Sequence, residues 1–181
     1  MKQLGIVLLV ASLAGCHVFA KTKPHYAALP VDSLREVALE IEKAIQDGNR
    51  TPEIADRDGI VVSSDTMRQA IRTRAARAEL VSALLDTGHA WERRDGLLYV
   101  IRSGEYKKFG TRKGRNRDAM IVFSENDDRW RIYEAIQHDG HFPGKSLSAI
   151  QRIFFEARIQ CMREGQKYED ESGKPAVVPA Q

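Results

Sequence analysis

The sequence predicts a mainly helical α+β domain of about four helices with one or two short β-hairpins, preceded by a signal peptide and a flexible tether. Three observations predict this class. Apolar residues recur at helical spacing in four segments. Glycine-containing turns separate short apolar runs at two places, a pattern typical of hairpins. The first fifteen residues have the order of an export signal: a positive start, an apolar run and small residues.

The export signal ends in Leu13-Ala14-Gly15-Cys16, behind an apolar run over residues 4–14. A membrane-spanning helix needs about 20 apolar residues, so this run is too short to span. The small-small-Cys ending resembles the lipobox of bacterial lipoproteins, in which the cysteine is acylated and becomes the first residue. We therefore expect residues 1–15 to be a lipoprotein signal peptide and Cys16 to be lipidated. A plain cleaved signal and an uncleaved anchor are the alternatives. Because His17 rather than Asp follows the cysteine, the sorting convention of diderm bacteria implies the outer membrane, facing the periplasm.

Composition sets mild limits on partners. The chain has 28 Lys and Arg against 25 Asp and Glu, a formal charge of +3. A balance this mild does not demand a polyanionic partner, and export argues against a nucleic-acid role. The 166 residues after the signal suffice for one domain with a core. With Cys16 acylated, Cys161 has no partner and is interpreted as a small buried hydrophobe rather than a reactive thiol.

The first third of the mature chain predicts a tether, a helix and a turn-rich connection. Residues 16–31 contain Pro24 and Pro30 without periodicity and are interpreted as the lipidated tether. Residues 32–62 should form an N-terminal helix and its connection. The helix begins at a capping box on residues 33–36, or at Asp32, and ends at Gly48. Residues 60–62 are at best a short strand.

A second helix should run from Ser63 or Ser64 to Asp86, with an inner apolar stripe. Its four arginines are interpreted as a solvated surface, with a grip on an anion as the alternative: Arg68, Arg72, Arg74 and Arg77. A hairpin follows over residues 89–102, turning at 93–96.

Residues 107–118 hold six basic residues and two glycines and are expected to be a loop. A helix capped by Asn116 or Asp118 should then reach Gln137, with a possible division at residues 124–126. Ser146 is expected to cap the last helix. A second hairpin around residues 171–174 would follow, with Pro175 confined to a sheet edge.

Three patches resemble a known family. Residues 88–98 have the form G-x-x-x-E-x-x-x-G-x-L, and residues 126–136 have the form N-x-x-R-x-x-x-Y-x-x-I. Residues 165–168 (GQKY) precede a glycine turn at Gly173. In this order they resemble the YdbL-like family of small periplasmic proteins, with the domain placed over residues 63–178. The basic segment 107–117 resembles an insertion relative to that family.

The resemblance implies a non-enzymatic accessory or chaperone-like factor in envelope assembly or lipid homeostasis. Some members are encoded beside a large AsmA-like envelope protein, so a protein partner of that kind is implied. The residues also allow a physical interpretation, in which they fix the hairpin on the helix; a binding surface is the alternative. Two glycines suit positive φ, Glu92 could accept backbone N–H bonds or pair with Arg129, Asn126 could cap or turn locally, and Arg129 and Tyr133 share a helix face. The set is Gly88, Glu92, Gly96, Asn126, Arg129 and Tyr133.

No catalytic constellation and no cofactor motif is recognisable in the sequence. His138 and His141 are a weak metal pair, because a zinc site needs three or four ligands. The best exposed candidate for binding anions is the basic segment, which suggests a second function: a binding module for an anionic lipid headgroup or a cell-wall polymer. A metal-assisted hydrolase is the third. The basic residues are Lys107, Lys108, Arg112, Lys113, Arg115 and Arg117.

Overall fold

The computed structural model describes residues 28–101 and 103–180. The predicted fold class is confirmed: the described chain is mainly helical with one small sheet. The predictions for the signal peptide, Cys16 and most of the tether lie outside the described residues. The helices are α1 Val31–Gln46, α2 Asp65–Asp86, α3 Gly104–Phe109, α4 Arg112–Asp139 and α5 Leu147–Cys161; the strands are β1 Ala90–Glu92, β2 Leu98–Val100, β3 Lys167–Glu169 and β4 Pro175–Val177.

The first helix begins earlier than predicted. It starts at Val31, and the carbonyl of Pro30 accepts the N–H of Leu34 at 2.9 Å. The predicted caps, Asp32 and Ser33, are therefore wrong, because the Ser33 hydroxyl donates to Asp58 across the following connection. The predicted tether accordingly ends one residue sooner, at Pro30. The predicted end at Gly48 is confirmed, since Gly48 has a φ of +68°.

The core lies where α1 packs on α5 and on α2, and where α2 packs on α4. Apolar stripes on these four helices meet, as the helical spacing predicts. A smaller apolar cluster joins the end of α2 to β1 and β2. The largest fully buried apolar side chains include Leu34, Ile41, Met67, Ile132, Ile136 and Phe154.

Both predicted hairpins form, and they join into one sheet in the order β2-β1-β3-β4. Strands β1 and β3 pair in parallel, which local sequence patterns did not predict. Pro175 lies in β4 at the edge of the sheet, as predicted. Residues 60–62, at best a short strand by prediction, form only a single bridge, between Arg57 and Ile60. The Asp56 carboxylate accepts the Val62 N–H at 2.7 Å, so that N–H is not available to a neighbouring strand.

The basic segment is not the loop that its composition indicated. Lys107 and Lys108 lie in α3, and α4 begins at Arg112 behind a Thr111 cap whose hydroxyl accepts the Gly114 N–H at 3.0 Å. The predicted cap at Asn116 or Asp118 is therefore wrong. The predicted division at residues 124–126 is also wrong: α4 runs unbroken for 28 residues, about 42 Å.

The start of α5 agrees with prediction in position, since Ser146 directly precedes its first residue, Leu147, but not in the capping bond. Ser146 lies in a 3₁₀ turn (Gly144–Ser146) and makes no side-chain capping bond. Ser64, by contrast, caps α2 as predicted. In residues 28–101 and 103–180, no helix combines the length and apolar character that crossing a membrane requires.

Candidate functional site

The structure brings the residues of the first two family-like patches together at the junction of the first hairpin and α4. Arg129 Nη1 and Nη2 donate to the two carboxylate oxygens of Glu92 at 2.6 and 2.8 Å. One turn further along α4, the Tyr133 hydroxyl donates to the Gly96 carbonyl at 2.7 Å. Of the two roles predicted for Glu92, the structure has the pairing with Arg129.

Gly96 is required by space as well as by conformation. Its φ is +79°, and a Cβ there would lie 2.9 Å from the Tyr133 hydroxyl and 3.1 Å from the Gln151 carbonyl. Gly88 also has a positive φ, +68°, and its carbonyl accepts the Lys167 ammonium at 3.0 Å. The predicted positive φ values are confirmed at both glycines.

The prediction that Asn126 caps or turns the chain locally is wrong. It lies within α4, and its amide faces the outer edge of β2. Its Oδ1 accepts the Leu98 N–H and its Nδ2 donates to the Leu98 carbonyl, both at 2.9 Å. The side chain thus pairs with β2 as a neighbouring strand would, which agrees with the interpretation that these residues fix the hairpin on the helix.

Three further helices contribute charges that the sequence reasoning did not place in the site. Arg74 on α2 holds both oxygens of Glu42 from α1 at 2.9 Å and also donates to Glu125 on α4 at 2.9 Å. Arg74 is only 2% exposed, so its interpretation as a solvated arginine is wrong. Arg77 is likewise engaged, with Glu125 at 3.0 Å and Asp128 at 2.7 Å. Arg68 and Arg72 are exposed, as predicted.

Arg158 on α5 closes these pairs into a ring. It contacts Glu42 at 3.0 Å and Glu92 at 3.1 Å, and it donates to the Gly96 carbonyl at 2.8 Å. Arg129 completes the circuit, because it bonds Glu125 at 2.8 Å as well as Glu92. Acids and arginines therefore alternate around a closed circuit, which we call the ion-pair ring: Glu42, Arg74, Glu125, Arg129, Glu92 and Arg158.

A sequence signal for the ring exists in hindsight. Glu42 lies between Ile41 and Ile45 on the apolar stripe of α1. Arg74 and Arg158 interrupt the stripes of α2 and α5 in the same way. Charged residues on the inward face of several helices predict buried pairing, since an isolated charge there is too costly.

The ring holds three positive and three negative groups, all buried. Burial disfavours the ionised form of Glu42 and Glu125, but the attraction of Arg74 and its neighbours outweighs burial and lowers both pKa values. Burial similarly opposes charge on Arg74 and Arg129, yet the adjacent carboxylates raise both pKa values. These four groups stay ionised at neutral pH, so none is poised for proton transfer near pH 7.

A cavity of about 90 Å³ lies beside the ring. All six ring residues line it, together with Cys161 and residues near Arg163. It is large enough to hold more than one water molecule. Within the described residues, every buried side-chain nitrogen and oxygen has a hydrogen-bond partner, so the ring offers no unsatisfied polar group to a ligand.

The predicted anion-binding residues lie away from the ring, around the junction of α3 and α4. Five are exposed, whereas Arg115 is partly buried and donates to the carbonyls of Lys107 and Gly110. Arg117 lies 3.6 Å from Asp118. Across the described ranges, no carboxylate lies within 4.0 Å of the other four: Lys107, Lys108, Arg112 and Lys113.

The remaining candidates do not assemble into a site. His138 and His141 are both exposed, and His138 Nδ1 lies 3.1 Å from Asp139. Among the described residues, no group of three or more His, Cys, Asp or Glu side chains could hold a metal. Cys161 is half-buried rather than buried, and burial raises the pKa of its thiol to about 11.

Comparison with known proteins found no matching family model, no matching curated protein and no matching solved structure.

Proposed function

We propose that this chain is a non-enzymatic lipoprotein of YdbL type. It would be anchored through Cys16, at the outer membrane facing the periplasm, and would assist envelope assembly or lipid homeostasis through an AsmA-like protein partner. The observation that carries the non-enzymatic part is the ion-pair ring. Its residues include Glu92 and Arg129 from the family-like patches, and each spends its charge on another ring member. Such a ring holds α1, α2, α4, α5 and β1 together, so we place the activity of the protein on its surface.

The anchor and the partner are tested separately. Metabolic labelling with a radioactive fatty acid should mark the parent chain and not Cys16→Ala. A parent chain without label would overturn the anchor. Photocrosslinking in whole cells, with the crosslinker at exposed positions of the mature chain, should give a discrete protein adduct. A smear or no adduct at every position would count against a partner-dependent role.

A second candidate function, binding to anionic lipid headgroups or cell-wall polymer, is favoured by the cations at the α3–α4 junction, which pair with no carboxylate among residues 28–101 and 103–180. Replacing Lys108, Arg112 and Lys113 by Gln should weaken binding to sacculi or anionic liposomes. The matched control replaces one other exposed arginine and two other exposed lysines by Gln and should bind normally: Arg50, Lys145 and Lys174. Equal losses in both variants would indicate a general charge effect and remove the candidate. The third candidate, a metal-assisted hydrolase at His138 and His141, requires bound metal in the purified protein.

A further inference from the structure

The α3–α4 junction presents apolar side chains near cations that pair with no carboxylate of the described chain. Met120 is 62% exposed and Phe123 is 68% exposed, the two highest values among the exposed large apolar residues of the described chain. Both follow the basic start of α4 within three turns. Large apolar side chains grouped on one exposed face and bordered by charged residues are typical of an interaction surface.

Helical geometry puts these residues on one face. At 100° per residue, Met120 and Phe123 lie within about 80° of Arg112 and Lys113, on the side of α4 opposite Glu125 and Arg129. Lys107 and Lys108 approach from the end of α3. We call the combined surface the corner face: Lys107, Lys108, Arg112, Lys113, Met120 and Phe123.

A hollow of about 680 Å³ extends this apolar surface between α4 and the outer edge of β2. Leu98, Val100 and Val122 line it together with Phe123, and Lys107 also belongs to its lining. The apolar area is therefore larger than two protruding side chains, and a cation lies beside it. Apolar surface rimmed by positive charge matches the boundary between anionic headgroups and acyl chains in a bilayer.

We propose that the corner face seats on an anionic phospholipid bilayer, with Met120 and Phe123 entering the boundary between headgroups and acyl chains. This rests on the proposed function for its anchor at Cys16. The cations draw the face to the lipid phosphates, and the apolar side chains then leave water. The seated protein lies with the amino-terminal half of α4 against the membrane.

The proposed tether is long enough for this orientation. The start of α1 lies near the far end of α4, since Ser33 bonds Asp58 and the Gly59 carbonyl lies beside Gly140. The corner face is then about 40 Å from the start of α1, the length of α4. Residues 16–30, fully extended, reach at most about 50 Å. An acylated Cys16 and the corner face can therefore reach the same bilayer.

The test places an environment-sensitive nitrobenzoxadiazole label at Met120→Cys in the full lipidated chain, with Cys161→Ser to remove the other thiol. The chain is incorporated into phosphatidylglycerol or phosphatidylcholine vesicles. We expect the emission to shift to shorter wavelength with phosphatidylglycerol only. The shift should be lost in 1 M salt, where the Debye length is about 3 Å, and in the variant with Lys108, Arg112 and Lys113 replaced by Gln. The matched control labels Leu80→Cys, an apolar α2 residue that is 51% exposed, and should not shift.

Flotation of the same vesicles separates the two proposals. Flotation with both lipids and no shift at position 120 would overturn the corner face while leaving the anchor standing. Flotation with phosphatidylglycerol alone, together with the shift, would support the corner face and overturn the anchor. Failure to float with either lipid would overturn both. An equal shift at position 80, or with phosphatidylcholine, would overturn the proposed charge-guided contact.

Discussion

Replacing Arg129 by Met opens the ion-pair ring at its most buried cation. Arg129 is 1% exposed and pairs with Glu92 at 2.6 Å and with Glu125 at 2.8 Å. In the variant, Glu92 keeps only Arg158 among its ring partners, whereas Glu125 keeps Arg74 and, outside the ring, Arg77. Removing one partner of a buried ion pair costs about 3–5 kcal/mol, because the remaining charge stays out of water. We expect the free energy of unfolding to fall by that amount.

Urea unfolding followed by far-ultraviolet circular dichroism at pH 7 measures this loss. With a urea dependence of about 2 kcal/mol per molar, the midpoint should fall by about 2 M. The matched control is Arg131→Ala on the same helix. Arg131 is exposed and pairs with Asp127 at 2.7 Å, an exposed pair worth about 0.5 kcal/mol. Its midpoint should stay close to that of the parent.

A midpoint for Arg129→Met equal to that of Arg131→Ala would contradict this expectation, because the ring would then contribute no more than a surface pair. Arg129→Lys keeps the charge but cannot hold both oxygens of Glu92 with a planar fork, so it should lie between parent and Arg129→Met. It also supplies a measurable value if Arg129→Met does not fold. Adding Glu92→Gln to Arg129→Met should recover about 1–3 kcal/mol, since one stranded charge is removed.

The ring carboxylates, the Gly96 turn and the Cys161 thiol each give a further prediction. The pKa values of Glu42 and Glu125 are lowered on folding, so the stability that these carboxylates contribute is present at pH 7 and should be lost progressively as the pH falls below about 5. Urea midpoints measured from pH 7 to pH 3 check this loss. Glu125→Gln should flatten the decline, and a midpoint that does not change with pH would contradict the prediction. Gly96→Ala should lower the free energy of unfolding by about 1–3 kcal/mol, because the new Cβ strains a positive φ and crowds the Tyr133 hydroxyl. The control Gly144→Ala places its Cβ in open space and should leave stability unchanged. Similar melting temperatures for the two variants would contradict the prediction. With a thiol pKa of about 11, Cys161 should react with iodoacetamide at pH 8 about 100-fold more slowly than a free cysteine peptide, and comparable rates would count against the burial argument.

Local patterns predicted the elements whose signals lie within a few residues. The stripes of α1, α2 and α5 and the glycine turns of both hairpins were sufficient, because each signal reports on its own segment. The loop predicted for the basic segment was wrong, because six cations and two glycines in twelve residues are typical of a solvated loop. There, Ser103 and Thr111 cap successive helices, with Gly110 between them. The parallel pairing of β1 with β3 depends on α5 bringing distant segments together, which no local pattern records.

The candidate site was predicted in part for the same reason. Glu92, Arg129 and Tyr133 were recognised through patches of fixed spacing. Helix geometry placed Arg129 and Tyr133 on one face, whereas the pairing of Glu92 with Arg129 was one of two alternatives that the sequence left open. Arg74 was missed because an arginine-rich helix suggests solvent, although its position on the apolar stripe between Ile71 and Ala75 pointed inward. Glu125 was placed at a break in α4, but its side chain bonds to Arg74 and Arg77 on α2 and needs no break in the helix. The ring as a whole requires four helices and a strand at once, so only the folded structure defines it.

The ion-pair ring has a structural role, whereas the proposed membrane contact belongs to the corner face. Ring residues join α1, α2, α4, α5 and β1, and the family-like residues Gly96, Asn126 and Tyr133 attach the first hairpin to that frame. The cations of the corner face come instead from the end of α3 and the start of α4. If the proposed contact is correct, ring variants should lower stability without moving the label at position 120 out of the bilayer. Variants of the corner cations should do the reverse, because those side chains contact no ring residue across the described chain. A ring variant that folds yet loses bilayer contact would mean that the frame itself takes part in function.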